Sequence, residues 1–441
     1  MSKFLFAIIL LAICTPKILE VCPNPNDPNA EYVKVLANSD CKLSDGEGTM
    51  SLMNGTIYVA KNSTAFKRSF GFEPNMTFKN GIALANQRDE VFLIEGDRVV
   101  DEFEWTHAKK GAIYYRTPSG WDFRFEDWTN YSTVSDFVNG TVIVTPYGFV
   151  LRSKSAIVVS YTLNDPNTID CDNVTFYLDA NPVGGAPIVE RFLPNVHFLK
   201  GSYEHFHWKF ALAGDFVVIT TENWGWNKRG YIVEFKSHKV ASFLRSVIEH
   251  DSRYESTPKR FRKFKRWEGL GSGSSFRFNS KVEVFVLPDR DPIPNIVCSA
   301  KRRLLLEAPY IGLRGNPLLE AIPKDVDAKV LVSDENSRIA LKDFARIRGL
   351  NLSVRTMSDL HGKMIIADDV VIITSANLNE YGLKRNREIG VIIYDKRIAD
   401  ELSKIFEKDW NGDNDTIYLI PATILLVAAL ALANKWFKKG G

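Results

Sequence analysis

One stretch that occurs twice constrains this chain more than any other feature. His207–Trp224 reads HWKFALAGDFVVITTENW, and His361–Leu378 reads HGKMIIADDVVIITSANL. Aligned without a gap, the two agree at 8 of 18 positions, which include the His, the Lys two residues on, an Asp and an Asn. A chain built this way is expected to form two similar units whose equivalent residues meet across a pseudo-two-fold. On a strand, residues i and i+2 share a face, so His207 and Lys209 present imidazole and ammonium side by side, as do His361 and Lys363. The apolar runs after them read as strands buried on both faces. They carry Thr221 and Asn223, or Ser375 and Asn377, to the same end.

Two imidazoles facing each other among lysines, hydroxyls and amides suit a tetrahedral anion. Lys209 and Lys363 would neutralise non-bridging oxygens, and Asn223 and Asn377, with Thr221 and Ser375, would donate to them. Fixed donors stabilise the charge that grows on those oxygens as phosphorus becomes five-coordinate. One His can attack phosphorus while the other protonates the leaving oxygen. An ordinary imidazole pKa near ~6.5 permits both roles. No metal or other cofactor is required. His205 and His207 share a strand face, but Lys209 would repel a cation and no Cys or acidic partner recurs, so no metal site is read.

The spacing resembles that of the phospholipase D superfamily: His-x-Lys, four residues, Asp, then Ser-x-Asn. The second copy fits with His361, Lys363, Asp368, Ser375 and Asn377, although Thr374 stands where Gly is usual. The first keeps His207, Lys209 and Asn223, but has Gly214 in the Asp slot, Asp215 one place later and Thr221 for Ser. The resemblance covers roughly 136–411. It implies a phosphohistidine intermediate, with His207 as nucleophile and His361 as general acid/base. It also implies a supporting acid at Glu388, after Asn386-Arg387; Arg229 stands there in the first copy.

The expected fold is α+β and multidomain. Alternating strands and helices predict two pseudo-symmetric α/β units, 136–250 and 281–411, joined by a basic Gly/Ser linker, 251–280. The pattern is clearest in the second unit, with a strand over Glu388–Tyr394 and helices over 337–348 and 397–409. Residues 22–105 read as short strands broken by Asn, Gly, Asp and Pro, which suits an immunoglobulin-like β-sandwich. The pieces CPNPNDPNAEYVKVLAN and GIALANQRDEVFLIEGDRVVDEF there resemble the lamin-tail domain, a binding or positioning module that recurs beside nucleases. Residues 106–135 are aromatic-rich and read as a packed connection.

Both ends carry targeting signals. Lys3 and the apolar run Phe4–Cys14 suit a signal peptide over 1–21. Residues 416–433 form an uncharged run of 18, about 27 Å as a helix, followed by Lys435, Lys438 and Lys439. A transmembrane helix is expected there, with the C-terminus cytoplasmic and the body outside the cell. Eight N-x-Ser/Thr sequons suit an exported glycoprotein. Cys22 and Cys41 bracket a short segment compatible with a disulfide in an oxidising compartment. A net charge of +3 is too small to imply a nucleic-acid partner by itself. Locally, 259–267 is basic and aromatic and is a candidate contact for nucleic acid or anionic lipid. The sequence thus predicts a membrane-anchored phosphodiesterase acting on nucleic acid or phospholipid. A non-catalytic binder of phosphorylated ligands and a phosphatidyl-transferring synthase are the alternatives.

Overall fold

The computed structural model describes residues 15–118, 120–226, 228–263 and 273–412. The chain divides into two compact units between Thr129 and Asn130. The expected signal run over Phe4–Cys14 and the apolar run over 416–433 lie outside the described residues. Among the described residues, no helix is long and apolar enough to cross a membrane.

The first unit holds two antiparallel-rich sheets. One has six strands, in the order Gly120–Phe125, Ala112–Thr117, Lys17–Cys22, Tyr32–Ala37, Gly55–Ala60 and Met76–Thr77. The other has four, in the order Thr49–Ser51, Cys41–Ser44, Gln87–Glu95 and Arg98–His107. Alternate residues of both sheets enter one apolar cluster that includes Val33, Val35, Leu43, Val91, Leu93 and Trp105. The aromatic segment after residue 105 supplies two strands of the larger sheet, and Tyr114 and Trp121 pack against that cluster. Cys22 and Cys41 are both buried free thiols on different sheets, so the disulfide expectation is not met.

The second unit is built on one sheet of fifteen strands. Its centre is the antiparallel pair Val134–Val144 and Ser274–Leu287. Outward from Val134–Val144 come Tyr231–Lys236, Phe216–Thr220, Phe210–Ala213, Leu151–Ser160, Ile169–Asp179, Val196–Leu199 and the edge strand Glu255–Ser256. Outward from Ser274–Leu287 come Glu388–Tyr394, Val370–Thr374, Met364–Ala367, Arg303–Glu307, Asp327–Val332 and Leu352–Thr356. Apart from Glu255–Ser256, the two series are equivalent strand for strand, so the sequence repeat is a structural repeat.

The expectation of an α+β chain with two separate α/β units is therefore corrected. The protein is β-rich, 43% strand against 20% helix, and the halves share a single sheet. In the second half, the parallel strands Arg303–Glu307, Asp327–Val332 and Leu352–Thr356 are connected partly by helix, notably Glu335–Arg348. In the first half, the helical content of the matching connections, all of them among the described residues, is limited to the short turns Pro166–Thr168 and Ile188–Phe192. Pro182, Pro187 and Pro194 with Gly184 and Gly185 leave no helical run there.

Candidate active site

Each motif histidine is held by the opposite half. The His207 N–H donates to the Arg387 carbonyl at 2.9 Å, and the His361 N–H donates to the Arg229 carbonyl at 2.8 Å. The guanidinium groups of the same two arginines cross as well. Arg387 binds Asp251 at 2.7 Å and Asp289 at 2.8 Å, with all three side chains fully buried. Arg229 binds Asp409 at 2.6 Å. Asp251 and Asp409 occupy equivalent places in the helices His238–Asp251 and Lys396–Asn411. Removing one partner of a buried pair of this kind typically costs about 3–5 kcal/mol, because a charge is left without compensation. Two such crossed pairs hold the halves in register and fix the strand ends that carry the imidazoles.

Around His207 the partners are tight. Nδ1 lies 2.7 Å from Glu388 Oε1. The other Glu388 oxygen accepts from Ser375 Oγ at 2.5 Å, and Asn386 donates to Oε1 at 3.1 Å. Burial raises the Glu388 pKa, but the imidazole, Lys209 and Ser375 outweigh it and hold the carboxyl below its usual range. Burial, with help from Lys209 and Lys363, lowers His207 to about 4 against the pull of Glu388. An ionised Glu388 therefore receives the Nδ1 proton of a neutral ring. That leaves the Nε2 lone pair as the nucleophilic nitrogen.

Around His361 the acid comes from an unexpected place. The residue equivalent to Glu388, read from the strand register, is Gly230. The carboxylate facing His361 belongs instead to Glu222, whose Oε2 is 3.4 Å from Nδ1. Glu222 is almost fully buried, and among the described residues neither its Oε1 nor His361 Nδ1 has an aligned hydrogen-bond partner. Burial raises Glu222 to about 8, with Lys363, Lys228 and Lys209 opposing. Burial first, then Lys363 and Lys209, push His361 well below its usual value. These shifts favour a protonated Glu222 beside a neutral His361 ring at neutral pH. Sequence reasoning passed over Glu222 because its counterpart is Ala376. The signal was an acid at the end of an apolar strand in the one copy lacking an acid at the later slot.

Lys209 and Lys363 are buried beside the rings. Lys363 donates to the His361 carbonyl at 2.7 Å and reaches the Thr221 carbonyl at 3.5 Å. Lys209 donates to the His207 carbonyl and lies 3.2 Å from His207 Nδ1. Burial lowers Lys209 to about 7 and Lys363 to about 8, against Glu388 and Glu222. An incoming anion would draw both back toward the charged form.

The remaining predicted residues separate into two groups. Asn223 and Asn377 are half-buried at the strand ends, and Asn223 Oδ1 has no hydrogen-bond partner among the described residues. Trp224, next to Asn223, sits at φ 50°, a strained setting for a bulky residue. Thr221 and Ser375 are fully buried, and their hydroxyls accept from the Tyr231 and Ile389 N–H groups. Asp368 lies away from the rings, at the far turn of the hairpin formed by Met364–Ala367 and Val370–Thr374. It accepts from the N–H groups of Lys301, Arg302 and Arg303 at 2.8–3.1 Å. It adopts φ 52°, and the equivalent Gly214 adopts φ 60°. Asp215 sits in the matching turn and pairs with the exposed His238 at 3.1 Å. The shifted Asp of the first copy is thus a change in turn chemistry that leaves the imidazoles untouched. Among the described residues, no cluster of His, Cys, Asp and Glu is arranged to hold a metal.

Residues 295–410 match the family described as "Cardiolipin synthase, PLD-like domain". No relative is found among curated proteins. Among solved structures, the chain is similar to Nuc of Salmonella typhimurium, a phospholipase D family member, with 21% identity over 30% of this chain and 93% of that one, at a TM-score of 0.27. It is also similar to a phosphatidylserine synthase of Haemophilus influenzae, with 13% identity over 60% and 81% of the two chains, at a TM-score of 0.40. NucT of Helicobacter pylori gives 15% identity over 30% and 95%, at 0.26. Over residues 295–410, then, the chain is similar to a phospholipase D-like domain.

Proposed function

We propose that the second unit is a phosphodiesterase acting through a phosphohistidine on His207. The observation that carries this is the unequal setting of two equivalent imidazoles. His207 faces an ionised Glu388 at 2.7 Å, whereas His361 faces a proton-bearing Glu222 at 3.4 Å. Environments that push paired groups apart in this way assign nucleophile and acid. His207 Nε2 attacks phosphorus, and the bond to the leaving oxygen breaks. That oxygen takes a proton from His361 Nε2, while Nδ1 takes one from Glu222. In the second step, a water proton returns through His361 to Glu222. The water oxygen bonds to phosphorus, and the His207–phosphorus bond breaks. Lys209, Lys363, Asn223 and Asn377 hold the non-bridging oxygens.

Nucleic acid and phospholipid both supply the required diester. An acceptor alcohol in place of water would make the same residues a transferase. The reading of a non-catalytic binder is favoured by one observation, the unaligned His361–Glu222 pair. For cellular placement we propose the outer face of the cell membrane, on the support of the apolar runs at both ends of the sequence alone.

The test is turnover of an aryl phosphodiester by the full chain, with and without chelator, followed by rapid quench with labelled substrate. Label on His207 is expected, as is loss of turnover in His207→Ala and His361→Ala. Equal rates in wild type and both variants would remove the enzyme reading. Products formed with excess alcohol separate hydrolysis from transfer.

A further inference from the structure

We propose that the rim of this site is a docking surface for an anionic lipid bilayer. The proposal rests on the reading of the site for what the docked surface would deliver, but not for the docking itself. In the first half, the connection after Ile169–Asp179 exposes Val183 at 74% and Phe192 at 78%. It is tied to the nucleophile: the Val183 N–H donates to Tyr161 Oη at 2.5 Å, and the Tyr161 ring lies 4.5 Å from that of His207. In the second half, the connection after Arg303–Glu307 exposes Tyr310 at 54%, with Leu313 beside it. This loop is bridged to the motif, because Ile311 pairs with Leu378 and the Gly312 N–H donates to the Leu378 carbonyl at 3.2 Å. The short helix after that motif adds Tyr381, 59% exposed. Large apolar side chains thus stand in solvent on both sides of the imidazoles, on loops leaving the same ends of the strands.

Charge selects the partner. Arg191, Arg260 and Lys263 are exposed on the first rim, where Phe261–Arg262 pairs with Ala186–Pro187, and Arg314 is exposed on the second. The carboxylate of the first rim's short turn, Glu190, is buried and accepts from the Leu163 N–H at 2.6 Å. On the second rim, Glu380 is paired with Arg385. Glu204 and Asp359 are the exposed acids nearest the motifs in sequence. Cations interleaved with apolar tips fit a surface that is anionic at the headgroups and hydrocarbon beneath. Val183 and Leu313 have no face on which a base could stack, whereas hydrocarbon accepts them and the aromatic Phe192, Tyr310 and Tyr381 alike, which favours a bilayer over single-stranded nucleic acid as the occupant.

The experiment is hydrogen–deuterium exchange on the full chain with vesicles of phosphatidylglycerol and phosphatidylcholine, with phosphatidylcholine alone, and with a single-stranded oligonucleotide. Peptides are read locally, so binding through any other segment does not obscure the result. The expected outcome is at least fivefold slower exchange over 181–193, 308–316 and 380–385 with anionic vesicles only. The variant Val183→Ser/Phe192→Ser/Leu313→Ser should lose that protection. It should keep its turnover of a soluble aryl phosphodiester, since none of these side chains lies in the proposed machinery. Protection by the oligonucleotide instead, protection that depends on protein concentration without lipid, or no protection at all would each overturn the docking surface. Loss of turnover in His207→Ala with protection intact would separate the two proposals.

Discussion

Glu222 Oε1 occupies the space that a Cβ on Gly230 would need. Glu388, at the place equivalent to Gly230, supplies the acid for one imidazole, and Glu222 supplies it for the other from a different strand position. The acid has moved, and the glycine is what makes room for it. In a Glu222→Ala background, adding Gly230→Glu should therefore recover at least tenfold of the lost kcat/KM. Gly230→Glu alone should lower stability by collision with Glu222. No recovery in the double variant would show that the two positions are not interchangeable.

The proton on Glu222 makes the leaving group informative. Glu222→Gln can fill the site but cannot pass on a proton. Its turnover of alkyl phosphodiesters should fall by roughly 10²-fold, the lower range for general acid catalysis. Turnover of p-nitrophenyl esters, whose leaving group needs no proton, should change only severalfold. Glu388→Gln, by contrast, should slow both substrates alike, because it acts on the nucleophile. Steady-state rates with the two ester types check this.

The pH profile has a defined sign. In the free protein, Lys209 is lowered to about 7 and Lys363 to about 8, while Glu222 is raised to about 8. As pH rises through 7–8, the two cations lose charge and the acid loses its proton, so kcat/KM should fall on the alkaline side. His207, lowered to about 4, stays neutral and nucleophilic well below pH 6. A rate that keeps rising up to pH 9 would contradict these settings.

The crossed arginines are a stability prediction. Asp251→Ala leaves Arg387 buried with Asp289 alone, and Asp409→Ala leaves Arg229 buried without its carboxylate. Each should cost about 3–5 kcal/mol, read as a shift in denaturant midpoint. Replacing Arg229 and Asp409 together should cost less than the sum of the two single changes, because no charge is then left uncompensated.

Asp368 separates motif from mechanism. Asp368→Ala removes the acceptor for three backbone N–H groups and should cost about 1–3 kcal/mol, while kcat stays within a few fold of wild type. A loss of kcat as large as that of His361→Ala would return the Asp to the chemistry.

The repeat was legible because its physics is local. A His and a Lys two apart on a strand face the same way, and a buried apolar strand fixes where the polar residues at its end emerge. His207, Lys209, His361, Lys363 and Glu388 could all be named from spacing and resemblance, and so could strand Glu388–Tyr394. The α/β expectation failed for a physical reason: the prolines and glycines between 182 and 194 leave that connection of the first half with a turn where the second half has a helix.

What only the tertiary structure decided is pairing across the pseudo-two-fold. The resemblance implied a supporting acid at Glu388 without saying which ring it meets; folding joins it to the first His, since Val134–Val144 pairs with Ser274–Leu287 and carries each half's strand ends to the other's imidazole. The relocated acid, the crossed Arg–Asp pairs and the unequal protonation of two like histidines all depend on burial and on contacts more than 100 residues apart. Side-chain type and spacing set what the chain could place at a site. Which carboxylate meets which ring, and in what charge state, was set by the shared sheet and the low-dielectric interior it encloses.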